Sequence, residues 1–185
     1  MRAGRLLLPL AALGLLLTSG CAGPEPEPSA SGSAAAGEAF FASEEEAVEA
    51  ALAVYAEYNA MADQIMADGG AEPERLAPFV DEALLESQTA GFERMQEQGA
   101  TATGSTKYWI DEYQQPPSYE KPGTLLAAYF CRDVTDVDVL GPDGTTLVDP
   151  ERPDVFPIEV VWELSADGTV KVIKDEPWVA DNFCI

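Results

Sequence analysis

Two periodicities divide the chain. Between residues 43 and 98 apolar side chains recur every three or four positions, and beyond residue 100 they alternate with polar ones. Val48, Leu52, Tyr55, Ala62, Ile65 and Met66 fall on one stripe and predict a helix of about 26 residues, ended by Gly69-Gly70. Ser43-Glu44-Glu45-Glu46 reads as its capping box, with Ser43 as N-cap and Glu46 as the reciprocal partner. Acidic side chains there also suit the positive end of the helix dipole. Glu72 to Ala77 predicts a short helical turn interrupted by Pro78. Asp81 to Gln98, carrying Ala83, Leu84, Phe92 and Met95, predicts a second helix stopped by Gly99. Leu76, Phe79 and Val80 are expected to dock this region onto the first helix.

The alternating half predicts strands. Lys107 to Tyr113 would put Tyr108, Ile110 and Glu112 on one face and Trp109, Asp111 and Tyr113 on the other. Pro116-Pro117 breaks it. Thr124 to Arg132 would share Leu125, Ala127, Tyr129 and Cys131 on a face and run on through Val137, Val139 and Leu140. After the turn signal Gly141-Pro142-Asp143-Gly144, Phe156 to Leu164 alternates again, and Ala166-Asp167-Gly168 closes a hairpin onto Thr169 to Lys174. Helices followed by an antiparallel meander predict an α+β fold.

Neither pattern covers the beginning. Arg2 and Arg5 precede an apolar run from Leu6 to Leu17, too short to span a bilayer and suited to a signal peptide. Leu17-Thr18-Ser19-Gly20-Cys21 resembles the lipobox of bacterial lipoproteins, with Leu17 one place earlier than the common pattern has it. The resemblance implies a signal peptide over 1–20 and a diacylglyceryl group on Cys21, an anchor to which each buried CH₂ contributes about 0.8 kcal/mol. Residues 21–42 then form a lipidated cysteine and a Pro/Ser/Ala tether, too poor in apolar side chains to order itself and able to reach about 60 Å. The folded domain is expected over 43–185, and Phe40 and Phe41, the first bulky residues, are expected to begin it.

Charge and missing residue types narrow the chemistry. The net charge is −23; loss of Arg2 and Arg5 with the leader leaves 8 basic against 33 acidic side chains, or −25. Nucleic acid is excluded as a partner, because phosphates need a basic face. Histidine is absent, which removes His-dependent triads and the usual zinc ligand, and no cofactor or metal site is expected. Asp133, Asp136, Asp138 and Asp143 invite a calcium reading but lack the spacing and closing Glu of an EF-hand. Cys131 and Cys184 are an even pair in an exported protein and imply a disulfide, contributing roughly 4 kcal/mol by loop closure. A redox or metal pair would want Cys-x-x-Cys spacing.

The order of long helix, shorter helix and curved sheet resembles the SnoaL-like or nuclear-transport-factor-like fold, a cystatin-type cone. Cys131-Arg132-Asp133 after a central strand, with Cys184 at the end, is similar to a group of actinobacterial lipoproteins of unknown function. The chain departs from that group in its acidic stretch Asp133 to Asp143 and its longer loop Val148 to Asp154. The resemblance implies a cone over 43–185 but brings no activity. Enzymes of that fold place Asp, His or Tyr in an apolar pocket, so the analogous candidates are Tyr55, Tyr58, Trp109, Asp111 and Tyr113. The competing reading makes the tyrosines core and Asp111 solvated. With no recognisable catalytic set, the expectation is a non-catalytic binding or accessory module. It would be lipid-anchored on the extracytoplasmic face of the cell membrane, binding an envelope protein partner or a small apolar ligand. The alternative is a small-molecule-binding or enzyme domain using Asp111 and the nearby Tyr and Trp residues.

Overall fold

The computed structural model describes residues 39–184. The expected leader, Cys21 and most of the tether lie outside these residues. The fold is α+β. Helix α1 (Glu44–Ala67) starts where the capping box predicts: Ser43 Oγ accepts from the Glu46 N–H at 3.3 Å. The return bond reaches one residue further back, with Glu46 Oε2 accepting from the Ala42 N–H at 2.7 Å. Phe41, just ahead of Ser43, packs against the core.

A short 3-10 helix (Pro73–Leu76) leads to α2 (Glu82–Glu97), whose N-cap Asp81 accepts from the Leu84 N–H at 2.9 Å. At the end of α1, Gly70 has φ +84°, and a Cβ there would stand 2.4 Å from the carbonyl oxygen of Phe92. Only glycine lets the chain turn this close to α2.

Six strands follow: β1 (Thr101–Thr103), β2 (Lys107–Tyr113), β3 (Gly123–Asp133), β4 (Asp138–Leu140), β5 (Val155–Leu164) and β6 (Val170–Pro177). The main sheet has the order β2-β3-β5-β6 with every pair antiparallel, and β1 and β4 form a separate pair. The expected run of the central strand through Leu140 does not occur. Asp133 Oδ1 accepts from the N–H and hydroxyl of Thr135, making a turn that ends β3 and sends 138–140 to β1.

The face turned to the helices is mostly apolar. Tyr55, Ile65, Leu76, Leu126, Phe130, Ile158, Val160, Trp162 and Val172 are all buried there. Ile158, Val160, Trp162 and Leu164 are 0% exposed, as the alternation of β5 predicts.

Three register shifts break the simple alternation elsewhere. One extra residue in a strand moves everything beyond it to the opposite face. Leu125 is the extra residue in β3, so it joins Leu126 in the core while Ala127, Tyr129 and Cys131 keep the outer face. Asp111 is the extra residue in β2 and Ile173 that in β6.

The two edges of the sheet are finished differently. Along β6, the Val172 N–H donates to Phe79 O at 2.9 Å and the Asp81 N–H to Val172 O at 3.1 Å, so the loop before α2 covers that edge. Along β2 the outward side carries Lys107, Asp111 and Glu112, charges that discourage strand addition. On the outer face the C-terminal segment lies across Tyr129, with Trp178 and Phe183 at ring distances of 4.9 and 5.9 Å. Cys131 and Cys184, 53 residues apart, are joined by a disulfide. No helix among the described residues is long and apolar enough to cross a membrane.

Candidate functional site

The five residues expected to meet in one pocket are dispersed. Tyr55 is wholly buried, with its ring 4.8 Å from Tyr108, 5.1 Å from Phe130 and 5.6 Å from Trp162. Tyr58 is buried beside it at 5.8 Å. Trp109 pairs with Cys131 across β2 and β3 and is 44% exposed. Asp111 sits at the β2 bulge, in solvent. The same bulge separates Tyr113 from Trp109 and Asp111: Tyr113 pairs with the core residue Ala128 and faces α1. No carboxylate is thereby placed among aromatic rings by β2, and the site expected around Asp111 does not form.

A polar cluster lies between α1 and the sheet. Arg132 Nη2 donates to both oxygens of Asp175, at 2.8 and 2.6 Å, and to the Tyr55 hydroxyl at 2.9 Å. Two strands separate these partners in sequence, and Arg132 reaches over β5 to make the pair. The bulge at Ile173 makes this possible. Val170 and Val172 face the core, the register shifts, and Asp175 then pairs with Val160 and also faces inward. Without the shift, the alternation would point Asp175 to solvent. Burial pulls the Arg132 pKa down, but the Asp175 carboxylate beside it more than reverses this, so the guanidinium stays charged. Burial first and the Asp175 charge second push the Tyr55 and Tyr58 hydroxyls well above the ordinary tyrosine value. Both therefore remain neutral near pH 7, and the Tyr55 hydroxyl serves as a hydrogen-bond acceptor, not a base. Asn59 spends its amide within α1, donating to Tyr55 O at 2.8 Å.

The aspartates of the 133–143 stretch do not converge. Asp133 caps Thr135, Asp136 pairs with Lys107, Asp138 accepts from Thr146, and Asp143 caps Thr145. Among the described residues no group of three or more carboxylates or cysteines is placed to hold a metal.

A groove of about 1010 Å³ lies between the first half of α1 and the end of β2. Val48, Leu52 and Ala53 form its helical wall, and Tyr113, Pro116 and Pro117 face them. Glu44, Glu45 and Glu49 stand around it. The acidic first turn of α1 thus supplies two of the three rim carboxylates. The Pro116-Pro117 pair, legible as a strand breaker, supplies a rigid apolar lip because its rings fix φ and cannot join the ladder.

No protein-family model matches the chain, and no curated protein matches it. Among solved structures, the chain is similar to the intermembrane space region of the chloroplast protein ARC6. The two are 16% identical with a TM-score of 0.47, over 71% of this chain and 96% of that one. At that level the likeness carries no functional assignment.

Proposed function

We propose that this protein is a lipid-anchored, extracytoplasmic, non-catalytic binding module of the cell envelope. Its groove beside α1 takes a segment of a partner protein that is apolar on one side and cationic at its margins. The carrying observation is the combination of an apolar floor, Val48, Leu52, Tyr113 and Pro117, with three glutamates around it. Burying the floor against apolar side chains supplies the attraction, at roughly 25 cal/mol per Å². Lys or Arg at the margin would pair with Glu44, Glu45 and Glu49 and select against acidic partners. The same rim, within a chain of net charge −23, argues against an anionic lipid surface as the occupant. The anchor rests on the leader pattern and Cys21, and the placement outside the cytoplasm follows from it.

The enzyme reading around Asp111 has less support, since that carboxylate is solvated and apart from Tyr55 and Tyr58.

Binding of a synthetic leucine–lysine amphipathic peptide to the full chain, followed by fluorescence anisotropy, tests the groove. Saturable binding that weakens with salt and is lost in Leu52→Arg supports it. Equal binding by the wild type and Leu52→Arg, or none to either, overturns it. The mass of the mature protein tests the anchor: an unmodified Cys21 would remove it.

A further inference from the structure

A second cavity, of about 300 Å³, lies beside the second half of α1, and its walls share no residue with the groove. It brings together Arg132, at the end of β3, and Arg152, in the loop between β4 and β5. These are two of the four arginines that follow the leader, in a chain with 33 acidic side chains.

Among the described residues, both guanidinium groups bond the protein through Nη2 alone. That of Arg132 serves Asp175 and Tyr55, and that of Arg152 donates to the carbonyls of Val134 and Val137 at 3.0 and 3.1 Å. The Nε of each is buried and has no partner among the described residues. A guanidinium carries five donors, so each keeps several that the protein leaves unmatched. Buried unpaired donors such as these two Nε groups are rare, because leaving them unmade forfeits their hydration.

The charges are unequal as well. Asp175 balances Arg132 at hydrogen-bond distance, whereas Arg152 meets a carboxylate, Asp154, only at 3.7 Å, and that side chain is mostly in solvent. Asp63 is the acid among the lining residues. Its two oxygens already accept from the hydroxyl and N–H of Thr106, at 3.0 and 3.1 Å. Met66, Phe92 and Phe156 make the remaining wall apolar.

We propose that this cavity binds a small organic carboxylate with an apolar body, the carboxylate taken by Arg152 with Arg132 and the body by Met66, Phe92 and Phe156. Charge-assisted bonds from a planar guanidinium to a carboxylate are the strong and directional choice for these donors. The volume is at the lower end for a ligand site and suits one ring with a short acid chain. The acidic surface does not forbid an anion, since exposed charges beyond about 8 Å are screened at physiological salt while contacts inside the cavity are not.

The test uses 3-phenylpropionate and its neutral amide with the full chain. Arginine Nε–H signals in ¹⁵N-correlated NMR spectra report directly on the two side chains. The acid should shift the Arg132 and Arg152 signals saturably, raise Tm, and bind about tenfold more tightly than the amide. Arg152→Lys, which keeps the charge and loses the planar donors, should weaken the acid about tenfold. Leu52→Arg should leave it unchanged, which separates this site from the groove. Acid and amide binding equally, or millimolar acid moving neither arginine signal, overturns the proposal. The wild-type spectra decide this even if Arg152→Lys folds poorly.

Discussion

The two halves of α1 serve opposite kinds of surface. Its first half, Glu44 to Ala53, lines an open groove whose floor is apolar and whose charges stand at the rim in water. Its second half, Tyr58 to Met66, lines a smaller cavity in which the charges are the wall itself. Rim charges are hydrated and screened, so they select partners and cost the fold little. Wall charges are held out of water and must be matched atom by atom. The groove should therefore tolerate substitution with full stability and altered binding, while the cavity should not.

The largest effect is expected at the buried pair. Asp175→Asn leaves the Arg132 charge without its counterion and should cost about 3–5 kcal/mol, read from urea unfolding. The double variant Arg132→Met/Asp175→Leu should recover most of it; failure to recover would mean that the pair contributes more than mutual neutralisation. Next comes the crosslink on the opposite face of the same strand. Cys184→Ser should cost about 2–5 kcal/mol in thermal unfolding monitored by circular dichroism. A loss confined to the tail, with the arginine cavity unchanged by NMR, would show that the two faces of β3 are energetically separate. At the groove, Leu52→Arg should abolish peptide binding and change stability by under about 1 kcal/mol, since Leu52 is only partly buried. A severe loss of stability there would erase the contrast between the two halves.

The smallest effect concerns pH at the groove's margin. Glu159 accepts from Lys174 at 2.6 Å and from Gln114, a groove residue, at 3.0 Å. The Lys174 bond first and the Gln114 bond second hold its carboxyl below the ordinary value of 4.5. The folded pKa is lower than the unfolded one, so the stabilisation is complete above about 4.5 and is lost as pH falls through the folded value. Partial exposure of Lys174 limits it to at most about 1 kcal/mol. Lys174→Met should flatten the acid limb of the stability curve by that amount. An unchanged limb would assign the acid response to other carboxylates.

Much of the fold was legible because long elements repeat their signal. α1, α2 and β5 each carry enough apolar positions for the period to be unmistakable, and Asp81 and Ser43 mark helix starts by chemistry alone. The even cysteine pair was readable for a different reason: with Cys21 set aside, few alternatives existed. The candidate site was not legible, because three single-residue bulges reset which face each later side chain takes. Asp111, assumed to point with Trp109 and Tyr113, is itself the bulged residue. Asp175 looks from its sequence surroundings like one more solvated acid, until Ile173 shifts the register of β6. A bulge depends on partner strands far away in sequence and leaves no local pattern. The one hint was compositional: an arginine ending an apolar strand in a chain poor in basic residues needs a partner.

The segment after β6 has a consequence for handling the protein. Val179 is 98% exposed, with Trp178 and Phe183 resting on Tyr129 to either side of it. A protease that nicks the backbone at Val179 would not release the final piece, because Cys184 still holds it to Cys131. The clipped molecule would migrate as intact on a non-reducing gel and shed its end only when thiol is added.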